Sequence, residues 1–220
     1  MEQDEYPTLY YKGKFSPKIM KPLFVRFNAY DDPEVLEIDT YLIENYNLMA
    51  INHYTLKQAH TFMRQYFFAS DYTHVVILAT DIVLREFNIT KLLYEMKKNP
   101  EMRILSCVSN VDTKDFSNYL TICDETPDLE KKEWKWLSDD QKGTGIRKVI
   151  HSGLSNTIIE KEALRQTEII SDHNHDVNLC RQFNKLGIDI YADFDNYVHH
   201  KRHYTSPIWK NQYIQMNHDL

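Results

Sequence analysis

Three short stretches of this 220-residue chain carry residue types that do chemistry. Asp81 stands between the apolar runs Ile77-Leu78-Ala79 and Ile82-Val83-Leu84. A carboxylate just beyond a buried strand suits a hard cation such as Mg²⁺ or Mn²⁺, which takes oxygen ligands; an acid there also serves as an ordinary turn residue. Ser171-Asp172-His173-Asn174-His175-Asp176 reads as a helix start, where orphan N–H groups and the helix dipole stabilise negative charge. An aspartate kept ionised at such a place can take the proton of a hydroxyl group, or it simply complements the dipole. His199-His200-Lys201-Arg202-His203 offers imidazoles to a metal and two cations to phosphate oxygens. Its alternative is a solvated basic turn.

These residues need elements to hold them. Leu23 to Phe27 is a short apolar strand, and Asp32 caps a helix whose first residue, Pro33, is pre-set in φ; that helix ends near Asn45. Leu48 to Ile51 forms a second strand, and Thr55 caps a helix running to about Ser70. His74 to Ala79 is continuous and β-branched, as in a strand buried on both faces. Asn88 or Thr90 opens a helix through Lys98, stopped by Pro100, and Met102 to Val108 supplies a fourth strand. Strands alternating with helices in this way imply right-handed crossovers and an α/β fold with a mainly parallel sheet. In such sheets the ligand lies at the carboxyl ends of the strands, where Asp81 falls.

Beyond Asn110 the pattern loosens. A strand is expected at Tyr119 to Cys123, a short helix around Leu129 to Leu137, a strand at Ile146 to His151 and a helix near Glu160 to Arg165. The helix opened by Ser171 or Asp172 turns Val177, Cys180, Phe183 and Leu186 inward and closes at Gly187, a left-handed cap. Ile188 to Ala192 is the last strand. The division is an N-terminal arm (1–21), holding at most one irregular strand, a single domain (22–200), and a tail (201–220) that is basic and then aromatic.

Composition removes several classes. Five glycines are about a third of ordinary usage, and neither G-x-G-x-x-G nor G-x-x-x-x-G-K-[ST] occurs. The balance of 26 Lys+Arg against 32 Asp+Glu creates no field for nucleic acid. No apolar run is long enough for a transmembrane segment, and the acidic start Met1-Glu2-Gln3-Asp4-Glu5 is unlike a secretory signal, so the expected location is soluble, cytoplasmic. Cys107, Cys123 and Cys180 form no C-x-x-C pair and read as reduced, buried thiols.

Taken in order, the pieces resemble a known family. The run from Asp71 through Asp81 to Leu84 is similar to the "DYvlflDaDvvl" stretch of GT-A-fold glycosyltransferases like those of family 2. His175 to Arg181, then Leu186 to Tyr191, resembles their "EDvdlcrrlkelGykiy", and His200 falls where they carry a "v.v.gH". The resemblance spans roughly Pro22 to Lys201. It implies a GT-A fold, a nucleotide-diphosphate-sugar donor and a hydroxyl acceptor on a glycan, lipid or protein. It also implies Mn²⁺ or Mg²⁺, with Asp81 as the metal or ribose contact, His200 as the metal ligand and Asp176 as the base on the acceptor side. Placement by fold adds Ala29, Tyr30, Asp31, Asn52 and His53 around the donor base. Gly153 matches a small residue where a side chain would block the sugar.

The chain departs from the family pattern at three places. Ala79 replaces the first acid of D-x-D, His175 replaces the Glu before Asp176, and Ala59-His60-Thr61 stands where relatives have "aRN". A scaffold that binds a sugar nucleotide or a partner without turnover is therefore an alternative. A zinc hydrolase is another, because Ile169 to Asp176 is similar to the H-x-H-x-D-H run of metallo-β-lactamase-like proteins. Gly143, Gly145 and Gly153 cluster ahead of the acceptor side, so the segment from about Ser138 to Arg147 is expected to be a mobile loop that orders over bound donor.

Overall fold

The computed structural model describes residues 8–11, 20–27, 33–52, 54–79, 81–110, 119–125, 135–141, 143–154, 156–169 and 175–200. In chain order its first half runs β1 (Thr8–Tyr11), β2 (Pro22–Phe27), α1 (Pro33–Asn45), β3 (Asn47–Ile51), α2 (Leu56–Ala69), β4 (His74–Leu78), β5 (Ile82–Val83), α3 (Glu86–Lys98) and β6 (Ile104–Val108). The second half runs β7 (Tyr119–Cys123), β8 (Trp136–Ser138), β9 (Ile146–Val149), β10 (His151–Ser152), β11 (Thr157–Glu160), α4 (Lys161–Arg165), α5 (His175–Lys185), β12 (Ile190–Tyr197) and β13 (His199–His200).

The central sheet has eight strands in the order β1-β3-β2-β4-β11-β6-β12-β9. β2 pairs in parallel with β3 and β4, and β12 pairs in parallel with β6. β11 lies antiparallel between β4 and β6, so those two share a direction. The sheet is thus mostly parallel, with antiparallel β1 and β9 outermost. Alternation along the strands splits the core into two layers, as the pleat requires. Leu23, Val25, Val75, Ile77 and Ile159 face α2 and α5, while Phe24, Val76, Leu105 and Ile158 face α1 and α3.

The helices form for local reasons. In α2, Thr55 and Gln58 complete a reciprocal capping box, and Ala59, Met63 and Phe67 repeat at helical spacing against the sheet. Arg64, on the same inward stripe, donates to the Leu164 and Thr167 carbonyls at 3.1 and 2.6 Å, tying α2 to the end of α4. α5 closes in a Schellman motif. Gly187 has φ +69°, its N–H bonds the Asn184 carbonyl at 3.1 Å, and the Ile188 N–H bonds the Phe183 carbonyl at 2.9 Å.

Several sequence expectations change here. Leu186 is 46% exposed rather than inward, because the cap turns the chain there and Ile188, at 5%, fills the core instead. The strand expected over Ile146 to His151 breaks at Ile150. Its first part pairs with β12 and its second with β7, in a separate three-stranded sheet β10-β7-β8. Trp136–Ser138 is strand where the end of a short helix was expected, because Tyr119 and Cys123 of β7 pair with Ser138 and Trp136. The last strand continues past Ala192 to Tyr197 on polar residues that find partners on α3: Asp193 meets Lys91 at 3.3 Å and Asn196 meets Asn88. β11 emerges where only the following helix was expected.

Candidate functional site at the carboxyl edge

The parallel strands β3, β2, β4, β6 and β12 all end at one edge, and the chain returns to it repeatedly. Asn52 follows β3, Ala79 and Asp81 follow β4, and Ser109 follows β6. α5 runs back along the sheet before feeding β12 through Gly187, so its first residues, His175 and Asp176, reach the same edge. β11 begins there too, with Thr157 opposite both Ile77 and Ser106, which puts the turn carrying Gly153 at this edge. Tyr30, Asp31, His53, Asp172 and Lys201 lie outside the described residues.

One pairing joins two residues that are distant in sequence. β13 runs antiparallel to β5 with His200 opposite Ile82 and His199 opposite Val83, which sets the His200 backbone beside the residue following Asp81. The turn leading to β13 is held by a buried amide pair: Asn88 Nδ2 donates to Asn196 Oδ1 at 2.8 Å, and Asn196 Nδ2 donates to the Asn88 carbonyl at 3.0 Å. The Val198 N–H bonds the Val108 carbonyl at 2.8 Å. Among the described residues no three His, Cys, Asp or Glu side chains converge on a metal position. Asp and His are both residue types that ligate divalent cations such as Mn²⁺.

The position of Ala79 is set from below. Arg26, fully buried on β2, donates from Nη1 to the Ala79 carbonyl at 2.9 Å. It also grips Asp39 of α1, from Nη2 to Oδ1 at 2.6 Å and from Nε to both oxygens at 3.0 Å. A buried guanidinium therefore stands directly beneath the first position of the D-x-D-like segment.

Asp176 sits in the first turn of α5, its side chain 24% exposed, with Oδ2 3.5 Å from His151 Nε2. Burial works to raise its carboxyl. The His151 hydrogen bond and charge, together with His175, outweigh that and hold it below the ordinary carboxylate value. The group is ionised at neutral pH, as a proton acceptor must be.

Behind it lies a residue that the sequence did not mark as functional. His60 of α2 is fully buried, its ring centroid 4.5 Å from that of Phe27 and 5.2 Å from that of His175. Neither of its ring nitrogens meets a hydrogen-bond partner among the described residues. Burial first, then the charges of His175 and Arg64, lower its pKa to about 3. The unfolded chain therefore binds a proton below about pH 6.5 that the folded chain refuses until about pH 3. Stability falls as pH drops through that window, by roughly 1 kcal/mol per pH unit. His175 and His74, also lowered chiefly by burial, act in the same direction. Chemical denaturation at pH 7 and pH 4.5 checks this: His60→Phe is expected to flatten the pH dependence markedly, and an unchanged slope would contradict the assignment.

Comparison with known proteins yields no matching family model and no matching curated protein. Among solved structures, the crystal structure of A197 from STIV matches with a TM-score of 0.54 at 16% identity, over 83% of this chain and 95% of that one. The crystal structure of GalNAc-T7 with UDP, GalNAc and Mn²⁺ matches with a TM-score of 0.53 at 10% identity, over 85% of this chain and 45% of that one. Apo-UDP-glucose pyrophosphorylase matches at a TM-score of 0.46 and 11% identity, over 90% of this chain and 82% of that one. At such identities the likeness of the first two is one of fold. No helix among the described residues is long and apolar enough to cross a membrane.

Proposed function

We propose that the chain is a GT-A-fold glycosyltransferase that moves a sugar from a nucleotide-diphosphate donor to a hydroxyl acceptor. The observation that carries this reading is the pairing of β5 with β13, which brings the His200 backbone beside Ile82, the residue after Asp81, on the edge where Asp176 also lies. Asp81 and His200 would hold Mn²⁺ or Mg²⁺, and the ion would supply positive charge for the leaving diphosphate. Tyr30, Asp31 and Asn52 take the donor base side, and Gly153 leaves room for the sugar. In a direct displacement the acceptor oxygen bonds to the anomeric carbon as the bond to the diphosphate oxygen breaks. Asp176 accepts the acceptor's hydroxyl proton, while His151 orients its carboxylate.

A panel of sugar nucleotides screened by thermal shift with and without Mn²⁺ tests this reading. At least one is expected to raise the melting temperature, more so with Mn²⁺, and Asp81→Ala is expected to weaken that binding while the protein stays folded. Absence of any shift across the panel would sink the proposal. Binding with no turnover would favour instead a nucleotide-sugar-binding scaffold, the reading to which Ala79 points.

The segment between β8 and β9 belongs to the same edge, since the Gly145 carbonyl accepts from the Phe194 N–H at 2.9 Å and both Gly143 and Gly145 adopt positive φ. Hydrogen exchange from Ser138 to Arg147 is expected to slow when donor is bound. Equal exchange with and without ligand would remove this loop from the site.

A further inference from the structure

Asn156, immediately before β11, combines three features that rarely coincide without a reason. Its side chain is fully buried. Neither Nδ2 nor Oδ1 has a hydrogen-bond partner among the described residues. Its backbone is left-handed, with φ +53°, as is that of Leu154 two residues earlier at +50°. A buried amide with both ends unmet is destabilising, and non-glycine residues at such φ add strain that tends to gather at ligand sites.

The surroundings fix this turn firmly. Ser106 Oγ bridges its two ends, 2.8 Å from Ser152 Oγ and 2.7 Å from Thr157 Oγ1. The Gly153 N–H bonds the Thr121 carbonyl at 2.8 Å, and the Asn156 carbonyl accepts from the Cys107 N–H at 3.2 Å. The backbone of Ser152, Gly153, Asn156 and Thr157 is thus pre-set. In the strand order β3-β2-β4-β11, Asn156 stands three strands from β3, about 14 Å at the usual spacing. With the base near β2 and β3 and the diphosphate beyond β4, the group next in line is the sugar.

We infer that Asn156 determines donor-sugar specificity, its amide exchanging hydrogen bonds with a hydroxyl of the transferred sugar. The inference rests on the sugar-nucleotide reading above. A phosphate oxygen offers acceptors only and would leave Oδ1 unmet, whereas a hydroxyl both donates and accepts and satisfies the two ends of the amide.

The test compares UDP, GDP and dTDP with their hexose conjugates on wild type, Asn156→Gly and the isosteric Asn156→Asp. In wild type, one conjugate is expected to bind more tightly than its bare nucleotide by a factor of about ten or more. Asn156→Gly should keep the bare-nucleotide affinity and lose that increment, while its unliganded melting temperature rises, because strain and an unmet amide have been removed. Asn156→Asp, which retains an acceptor but loses the donor, should lose most of the increment. A residue with only a structural role predicts the reverse: a lower melting temperature with the increment intact. That result, or an increment unchanged in both variants, overturns the inference and leaves the sugar-nucleotide reading standing. Failure of every nucleotide and conjugate to bind wild type overturns both.

Discussion

Asp176→Asn is expected to lower sugar transfer by about 10²–10⁴-fold, the range for loss of a positioned proton acceptor, and to leave donor affinity close to wild type. The amide keeps the shape of the side chain and its place in the first turn of α5. It loses the negative charge that His151, 3.5 Å away, and His175 hold ionised. Single-turnover transfer and equilibrium donor binding measured on the same preparation separate the two effects. A parallel loss of both would place Asp176 in donor binding instead. The pH behaviour gives an independent check. Because the folded carboxyl lies below its ordinary value, Asp176 contributes stability above the unfolded carboxylate pKa, and this is lost as pH falls through the folded one. For the same reason no acid limb from this group should appear in the rate profile between pH 5 and 8, approximately the range over which it stays fully ionised.

Asp39→Ala is expected to produce the largest loss of stability, about 3–5 kcal/mol. It removes the partner of Nε and Nη2 of Arg26, a guanidinium with no exposed surface. The cost comes from depriving a buried charge of this carboxylate, so replacing both partners with apolar residues of similar size should restore most of it. The double variant Arg26→Met, Asp39→Leu is thus expected to unfold near wild type in urea while binding donor more weakly, because the Ala79 carbonyl has lost the Nη1 donor at 2.9 Å that sets the start of the Asp81 turn. Double-variant stability as low as that of Asp39→Ala would show that the pair is needed for more than mutual neutralisation.

Much of the parallel framework is legible in sequence because its signals are local. His74 to Leu78 is apolar and largely β-branched after its first residue, Thr55 and Gln58 announce a helix start, and Gly187 announces a helix end. What escapes depends on partners far away in the chain. Thr157–Glu160 runs into a helix with no glycine or proline between them, and its antiparallel insertion between β4 and β6 is written only in their pairing. The polar end of β12 reads as loop until Lys91 and Asn88 are seen to meet it. The candidate site divides along the same line. Asp81 and Asp176 stand out by residue type next to apolar runs, and their resemblance to family motifs sharpens them. His60 shows its inward direction through helical period, but the period says nothing of Phe27 or His175 facing it. Asn156 gives no sequence signal, since its meaning lies in a backbone angle and in the absence of hydrogen bonds around a buried amide.

A crystal structure of the chain with Mn²⁺ and a donor identified from the thermal-shift panel would show where the donor lies. The diphosphate is expected beyond β4 with the ion on Asp81 and His200, the base toward Asn52, and the anomeric carbon facing Asp176. Donor bound away from the carboxyl ends of the parallel strands, or at that edge with Asp81, His200 and Asp176 all out of contact, would contradict it.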